Sequence, residues 1–96
     1  VKRTEALSIR EIIDATLRRE DIRAEALAHR AAWLWGEVVG PGVNRYTTRR
    51  YVADGVLHVY ISASSLKEEL GYMRRTIVEH INSALGAEVV RELKIH

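Results

Sequence analysis

Apolar and polar positions along this chain follow two different periods, and the change falls at Gly40-Pro41-Gly42, which holds the only proline. Ahead of it the spacing is helical. Ser8-Ile9-Arg10-Glu11 reads as a capping box, in which the serine oxygen and the glutamate side chain each satisfy an amide that the first helical turn leaves free. Ile9, Ile12, Ile13, Thr16 and Leu17 then fall on one stripe, with Arg10, Glu11, Asp14 and Arg18 opposite. The polar run Arg18 to Arg23 is expected to close this helix. A second helix, from Ala24 to Val38, carries Leu27, Ala31, Leu34, Trp35 and Val38 at three- and four-residue steps and stops at Gly40. Trp33 lies roughly 160° around the helix from Trp35, at ~100° per residue, so the two indoles do not share one core.

Beyond the hinge the period becomes two. Thr47 to Ala53 and Val56 to Ala63 flank Asp54-Gly55, a strong signal for a two-residue hairpin turn, which needs positive φ at both positions. Leu57, Val59, Ile61 and Ala63 alternate with Val56, His58, Tyr60 and Ser62, giving a sheet with one oily and one polar face. A second capping box, Ser65-Leu66-Lys67-Glu68, opens a long helix with Leu66, Leu70, Met73, Ile77, Ile81 and Leu85 on one stripe and Gly86 at its end. Val89 to Ile95 reads as a third strand with Val89, Leu93 and Ile95 inward. The expected fold is therefore α+β in the order α-α-β-β-α-β. It has a three-stranded sheet with its helices packed on one face, because a parallel crossover joins strands two and three.

A chain of 96 residues accommodates one core, so residues 1–96 are read as a single domain with 1–7 flexible. With 47% apolar and 29% charged residues it has the composition of a folded domain. The absence of cysteine excludes disulfides, thiolate nucleophiles and cysteine-held zinc. No apolar run is long enough to span a bilayer, and Val1 to Ser8 has no secretion-signal core. A cytoplasmic protein without membrane contact is expected.

Charge sharpens the picture locally. Residues 1–42 carry seven basic and seven acidic side chains, and residues 64–96 carry five of each. The whole net charge of +2 comes from Arg45, Arg49 and Arg50 against Asp54. If Asp54-Gly55 is a two-residue turn, Ala53 pairs with Val56, Tyr51 lies beside His58, and Arg49 lies beside Tyr60 on the outer face. Arginines neutralise phosphates and tyrosines stack on bases, so this surface suits single-stranded nucleic acid. The competing reading of the same residues is an ordinary solvated sheet with tyrosine and arginine chosen for β propensity, and a three-residue turn would instead send Arg50 outward. Lys67, Arg74 and Arg75, near Gly71, form a second basic group, although Glu68, Glu69 and Glu79 make a salt-bridged face the competing reading. Trp33 is a candidate partner anchor, or a cover for the edge of the core.

Trp35 with Val38-Val39-Gly40, then Tyr51-Val52-Ala53-Asp54-Gly55-Val56-Leu57-His58-Val59, then Ser64-Ser65-Leu66 and Glu69-Leu70, together resemble the DciA family of small bacterial proteins. The resemblance spans Ser8 to Ile95. It implies a KH-like fold and a role as an operator of the replicative helicase, with a DnaB-type helicase as partner. One departure is clear: KH modules clamp nucleic acid with a GXXG loop, and Gly40-Pro41-Gly42 has neither that spacing nor that position, so the expectation is KH-like without a GXXG loop. Many members of the family append a flexible, basic C-terminal segment; if that segment carries nucleic-acid or helicase contacts, this sequence, which stops at His96, is expected to do less.

Catalysis finds no support. His29, His58, His80 and His96 have no metal-ligand spacing, no serine lies in a nucleophile elbow, and Glu68 and Glu69 point to different sides of a helix. No phosphate-binding loop is present. No enzyme, cofactor or metal is expected. The leading expectation is an accessory of DNA replication that binds DNA or RNA, single strands favoured, through Arg45, Arg49, Arg50, Tyr51, Tyr60, Lys67, Arg74 and Arg75. The alternative is a module that docks on the helicase or another protein through its helical half and Trp33, with little affinity for nucleic acid.

Overall fold

The computed structural model describes residues 8–96; residues 1–7, expected above to be flexible, lie outside the described residues. The elements are α1 (Ile9–Val39), α2 (Pro41–Asn44), β1 (Thr47–Ala53), β2 (Val56–Ile61), α3 (Ser64–Tyr72), α4 (Arg74–Leu85) and β3 (Glu92–Ile95). The α+β class and the α-α-β-β-α-β succession hold, with α3 and α4 as two parts of one bent helical segment.

Ser8 caps α1 as its sequence implies, its hydroxyl accepting the Glu11 amide at 3.1 Å from an extended backbone. The boundary expected at Arg18 to Arg23 does not exist. That run contains neither glycine nor proline, and arginine and glutamate are good helix formers. Charge on every side is also tolerated there, because α1 buries no side chain before Ala31. The helix therefore continues for 31 residues to Gly40, whose φ of 84° favours glycine and whose amide bonds the Gly36 carbonyl at 3.0 Å. Pro41, with no amide to lose, opens the single turn of α2. Gly36 matters for a different reason: a β-carbon there would come within 3.0 Å of the Asn44 side chain, so α2 folds back tightly on α1.

The sheet order is β1-β2-β3, antiparallel between β1 and β2 and parallel between β2 and β3. Leu57, Val59 and Ile61 of β2 and Leu93 of β3 face the helices. They pack with Ala31, Leu34 and Trp35 of α1, Leu70 of α3, and Ile77 and Ile81 of α4. Each of the leucine, isoleucine and valine side chains withdrawn from water stabilises the fold by roughly 1.5–3 kcal/mol. Trp35 is fully buried, and its indole N–H donates to Thr47 Oγ1 at 2.9 Å, which ties α1 to β1 without leaving a polar atom unpaired.

Two further boundaries differ from expectation. The long helix bends at Met73, where a tight bond from its amide to the Leu70 carbonyl (3.0 Å) closes α3 and its own carbonyl receives the Ile77 amide (2.9 Å) to start α4. Gly71 supplies the weak helical turn that precedes the bend. A β-carbon on Gly71 would meet only Arg74, at 4.0 Å, so no close backbone approach explains the glycine. Ser65 does not cap α3; its N-cap is Ala63, without a side-chain bond.

The third strand is also shorter than expected, because Val89 and Val90 are engaged by Asn82. The Asn82 side chain accepts the Val89 and Val90 amides at 3.1 and 2.9 Å and donates to the Val90 carbonyl at 2.6 Å. This fixes Val90, rather than Val89, in the core. Replacing Asn82 with alanine strands the buried amide and carbonyl of Val90, while the half-buried Val89 amide keeps the Ala87 carbonyl at 3.0 Å, and is expected to cost about 2–4 kcal/mol, measured as a lowered urea midpoint with an unchanged slope.

Candidate nucleic-acid interface

Asp54 and Gly55 adopt φ of 52° and 78°, and β1 pairs with β2 as Ala53↔Val56, Tyr51↔His58 and Arg49↔Tyr60. This is the two-residue turn and the register expected from the sequence. Gly55 is fixed twice over, by its φ and by the Arg91 side chain, which lies 3.0 Å from where a β-carbon would sit. A bulge between Thr47 and Arg49 lets Thr47 turn inward to Trp35 while Arg49 turns outward.

With the helices on the other side, the outer face of the sheet is open and carries a continuous stack of rings. Tyr51 lies 4.8 Å from His58, His58 5.3 Å from His96, and His96 4.6 Å from Tyr60, with ring planes within 17–18° of parallel. The Arg49 guanidinium lies 4.8 Å from the Tyr51 ring centre and 5.7 Å from that of Tyr60. His58 Nδ1 and His96 Nε2 are 3.0 Å apart, so one ring donates and the other accepts. Lys94, paired with His58 across the parallel ladder, adds a second cation to the same face.

The rings cover one another's faces and turn their edges outward. An aromatic guest therefore stacks only by tilting a ring aside. Tyr51, His58 and Tyr60 are half-buried and His96 is exposed, so His96 is the ring that turns aside fastest and opens the platform.

Tyr60 shows the coupling within the cluster. Its phenol is raised above 10.0, chiefly by hydrogen bonding with Tyr51, then by loss of solvent and by the Tyr51 charge, against a lowering by Arg49. An acid held above its unfolded value contributes stability that is whole below pH 10 and is lost as pH rises through the folded value. Tyr51→Phe removes the leading cause. Tyr60 is then expected to ionise at lower pH than in the unaltered protein, which a residue-resolved NMR titration of the Tyr60 ring checks.

The other expected site residues are placed elsewhere. Arg50 pairs with Val59 on the helix-facing side of β1, and its guanidinium bonds Asn44 Oδ1, so the structure does not bring it to the open face. Arg45 lies at the end of α2, its guanidinium 6.0 Å from the Tyr46 ring. Lys67 on α3 and Arg74 and Arg75 on α4 belong to the helical layer on the opposite side of the sheet, and Arg75 pairs with Glu79 at 3.3 Å. Trp33 is 57% exposed on α1, on the side of the helix away from the buried Trp35.

Lys94 and His96 are members of the face that sequence reasoning missed. Their signal was the alternation Leu93, Lys94, Ile95, His96, which assigns even positions outward once the strand is placed. Among the described residues no group of three or more His, Cys, Asp or Glu is arranged to hold a metal, and no helix is long and apolar enough to cross a membrane.

No curated protein matches the chain. A family model described as Dna[CI] antecedent, DciA, matches residues 8–95, from the cap of α1 to the last residue of β3. The chain belongs to the DciA family, helicase-loading accessories of DNA replication associated with the replicative helicase DnaB.

Proposed function

We propose that this protein serves helicase loading by holding single-stranded nucleic acid on the open face of its sheet, in the cytoplasm. The observation that carries this reading is the four-ring stack of Tyr51, His58, His96 and Tyr60 under the Arg49 guanidinium. Rings on an accessible sheet give bases a sequence-tolerant surface, and Arg49 and Lys94 at its margins meet the phosphates. Arg45, beyond the bulge, extends the cationic margin. Arg50 is left out of this surface, because its guanidinium is committed to Asn44.

Binding of a fluorescent oligothymidine, followed by anisotropy at several salt concentrations, tests the reading. Arg49→Glu is expected to weaken binding and to reduce the slope of log K against log salt by about 0.7 for each phosphate that the protein no longer neutralises. Tyr51→Ala is expected to cost about 1–3 kcal/mol with little change in that slope. Affinity unchanged by both substitutions removes the outer face from the interface.

A second reading rests on a different observation, the 57% exposure of Trp33. An indole left in solvent on a helix is a ready anchor for a protein surface. If α1 docks on DnaB, Trp33→Ala reduces capture of the helicase by immobilised protein and leaves oligothymidine affinity intact. Undiminished capture takes Trp33 out of the contact.

A further inference from the structure

β3 is an edge strand whose outer side meets no other strand among the described residues. The His96 amide bonds the Val59 carbonyl at 2.8 Å and the Ile61 amide bonds the His96 carbonyl at 2.9 Å. Alternation along the strand therefore directs Glu92, Lys94 and His96 toward β2, and turns the amides and carbonyls of Leu93 and Ile95 to the free edge. Among the described residues, neither Leu93 nor Ile95 makes a backbone hydrogen bond outside the sheet. The opposite edge, on β1, is interrupted by its bulge and lies against α1, a common way of blunting an edge. β3 also lies against helices, α3 and α4, through its inner face, but it has no bulge, and its outward backbone groups are unpaired among the described residues. Beside it runs an open groove of about 1200 Å³ between the strand and α4, lined by Arg74, Val78, Leu93, Lys94 and Ile95 among others.

We propose that this edge and groove bind an extended, acidic segment of a partner protein by adding it as a fourth strand. The free amides and carbonyls of Leu93 and Ile95 supply the pairing, and they accept only an extended backbone. Charge sets the composition of the guest. Arg75 is already compensated by Glu79; of the other charged side chains that line the groove, Arg74, Arg91 and Lys94 outnumber Glu88 and Glu92, and none of these makes an ion pair among the described residues, which leaves the groove one positive charge in surplus. A carboxylate opposite Lys94 on the outer face completes a cross-strand pair, and small apolar side chains on the alternate positions lie over Val78 and Ile95.

A second copy of this chain is a poorer guest. The antiparallel register that uses all four edge groups is centred on Lys94 and sets that lysine against its own counterpart. Moving the centre to Leu93 matches Lys94 with Glu92 but meets the Arg91 amide, which is already bonded to the Gly55 carbonyl at 2.8 Å.

The test uses a short synthetic peptide of alternating valine and glutamate, with a valine–lysine peptide as its counterpart, and amide exchange followed residue by residue by NMR. The glutamate peptide is expected to slow exchange at Leu93 and Ile95 and to bind at least about tenfold more tightly than the lysine peptide. Lys94→Glu reverses that preference. Ile95→Pro abolishes binding of both, because it removes an edge amide that takes no part in pairing with β2. No protection of Leu93 and Ile95 at ~1 mM peptide, equal binding of the two peptides by the unaltered protein, or protection already present through self-association each overturns the proposal. Oligothymidine binding on the outer face is measured in parallel, so failure of either site is read independently of the other.

Discussion

A two-residue turn at Asp54 and Gly55 leaves one way to pair β1 with β2, and that pairing decides which side chains the protein shows to solvent. Side chains on a strand alternate, so a slip of one residue would carry Tyr51 and Arg49 into the core and Arg50 and Val52 out of it. The positive φ at both turn positions, and the Arg91 side chain packed against Gly55, are the local chemistry that prevents the slip. The bulge at Thr47 and Arg49 then resets the phase once, so that Thr47 still reaches the Trp35 indole. Register thus links the buried contact between α1 and the sheet to the exposed rings on the sheet's other side.

The third strand depends on a polar contact inside an apolar layer. Asn82 is the one buried polar side chain among the described residues, and it is satisfied by the backbone of Val89 and Val90. Gly86, with φ of 71°, ends α4, and the Asn82 clamp then directs the chain into β3 and brings His96 onto Tyr60. The ring stack therefore draws on both ends of the sheet: a turn chosen for its φ values and a loop held by one amide side chain.

Much of this was legible in the residues. The change from helical to strand period, the Ser8 cap, the separation of Trp33 from Trp35 and the Tyr51–His58 and Arg49–Tyr60 pairs follow from spacing and from turn chemistry, both of which act over a few residues. The course of α1 through Arg18 to Arg23 was not legible, because a polar run signals an end only when something else ends the helix. The bend at Met73 and the Asn82 clamp were also hidden. Both are set by how α3 and α4 meet the sheet; the bend leaves Met73, expected on the apolar stripe, exposed, while Leu70, Ile77 and Ile81 stay buried on either side of it. His96 entered the ring stack through a parallel pairing between strands distant in sequence, which a local pattern does not specify. The placement of Arg50 turned on one alternative, the turn length, and the shorter turn put it on the helix side.

From Ile9 to Ala26 no residue of α1 is buried, although Ile9, Ile12, Ile13 and Leu17 are large and apolar. This half of the helix, about 27 Å long at 1.5 Å per residue, draws nothing from the core. Alone it would barely hold together, since a helix of such length is marginal in water; it persists because the packed turns from Leu27 onward spare it the cost of nucleation. Its melting is accordingly a fraying that proceeds from the N-terminus, separate from the cooperative collapse of the sheet and its helices. Helix content and core integrity are two distinct quantities in this protein, and a single transition midpoint describes only the second.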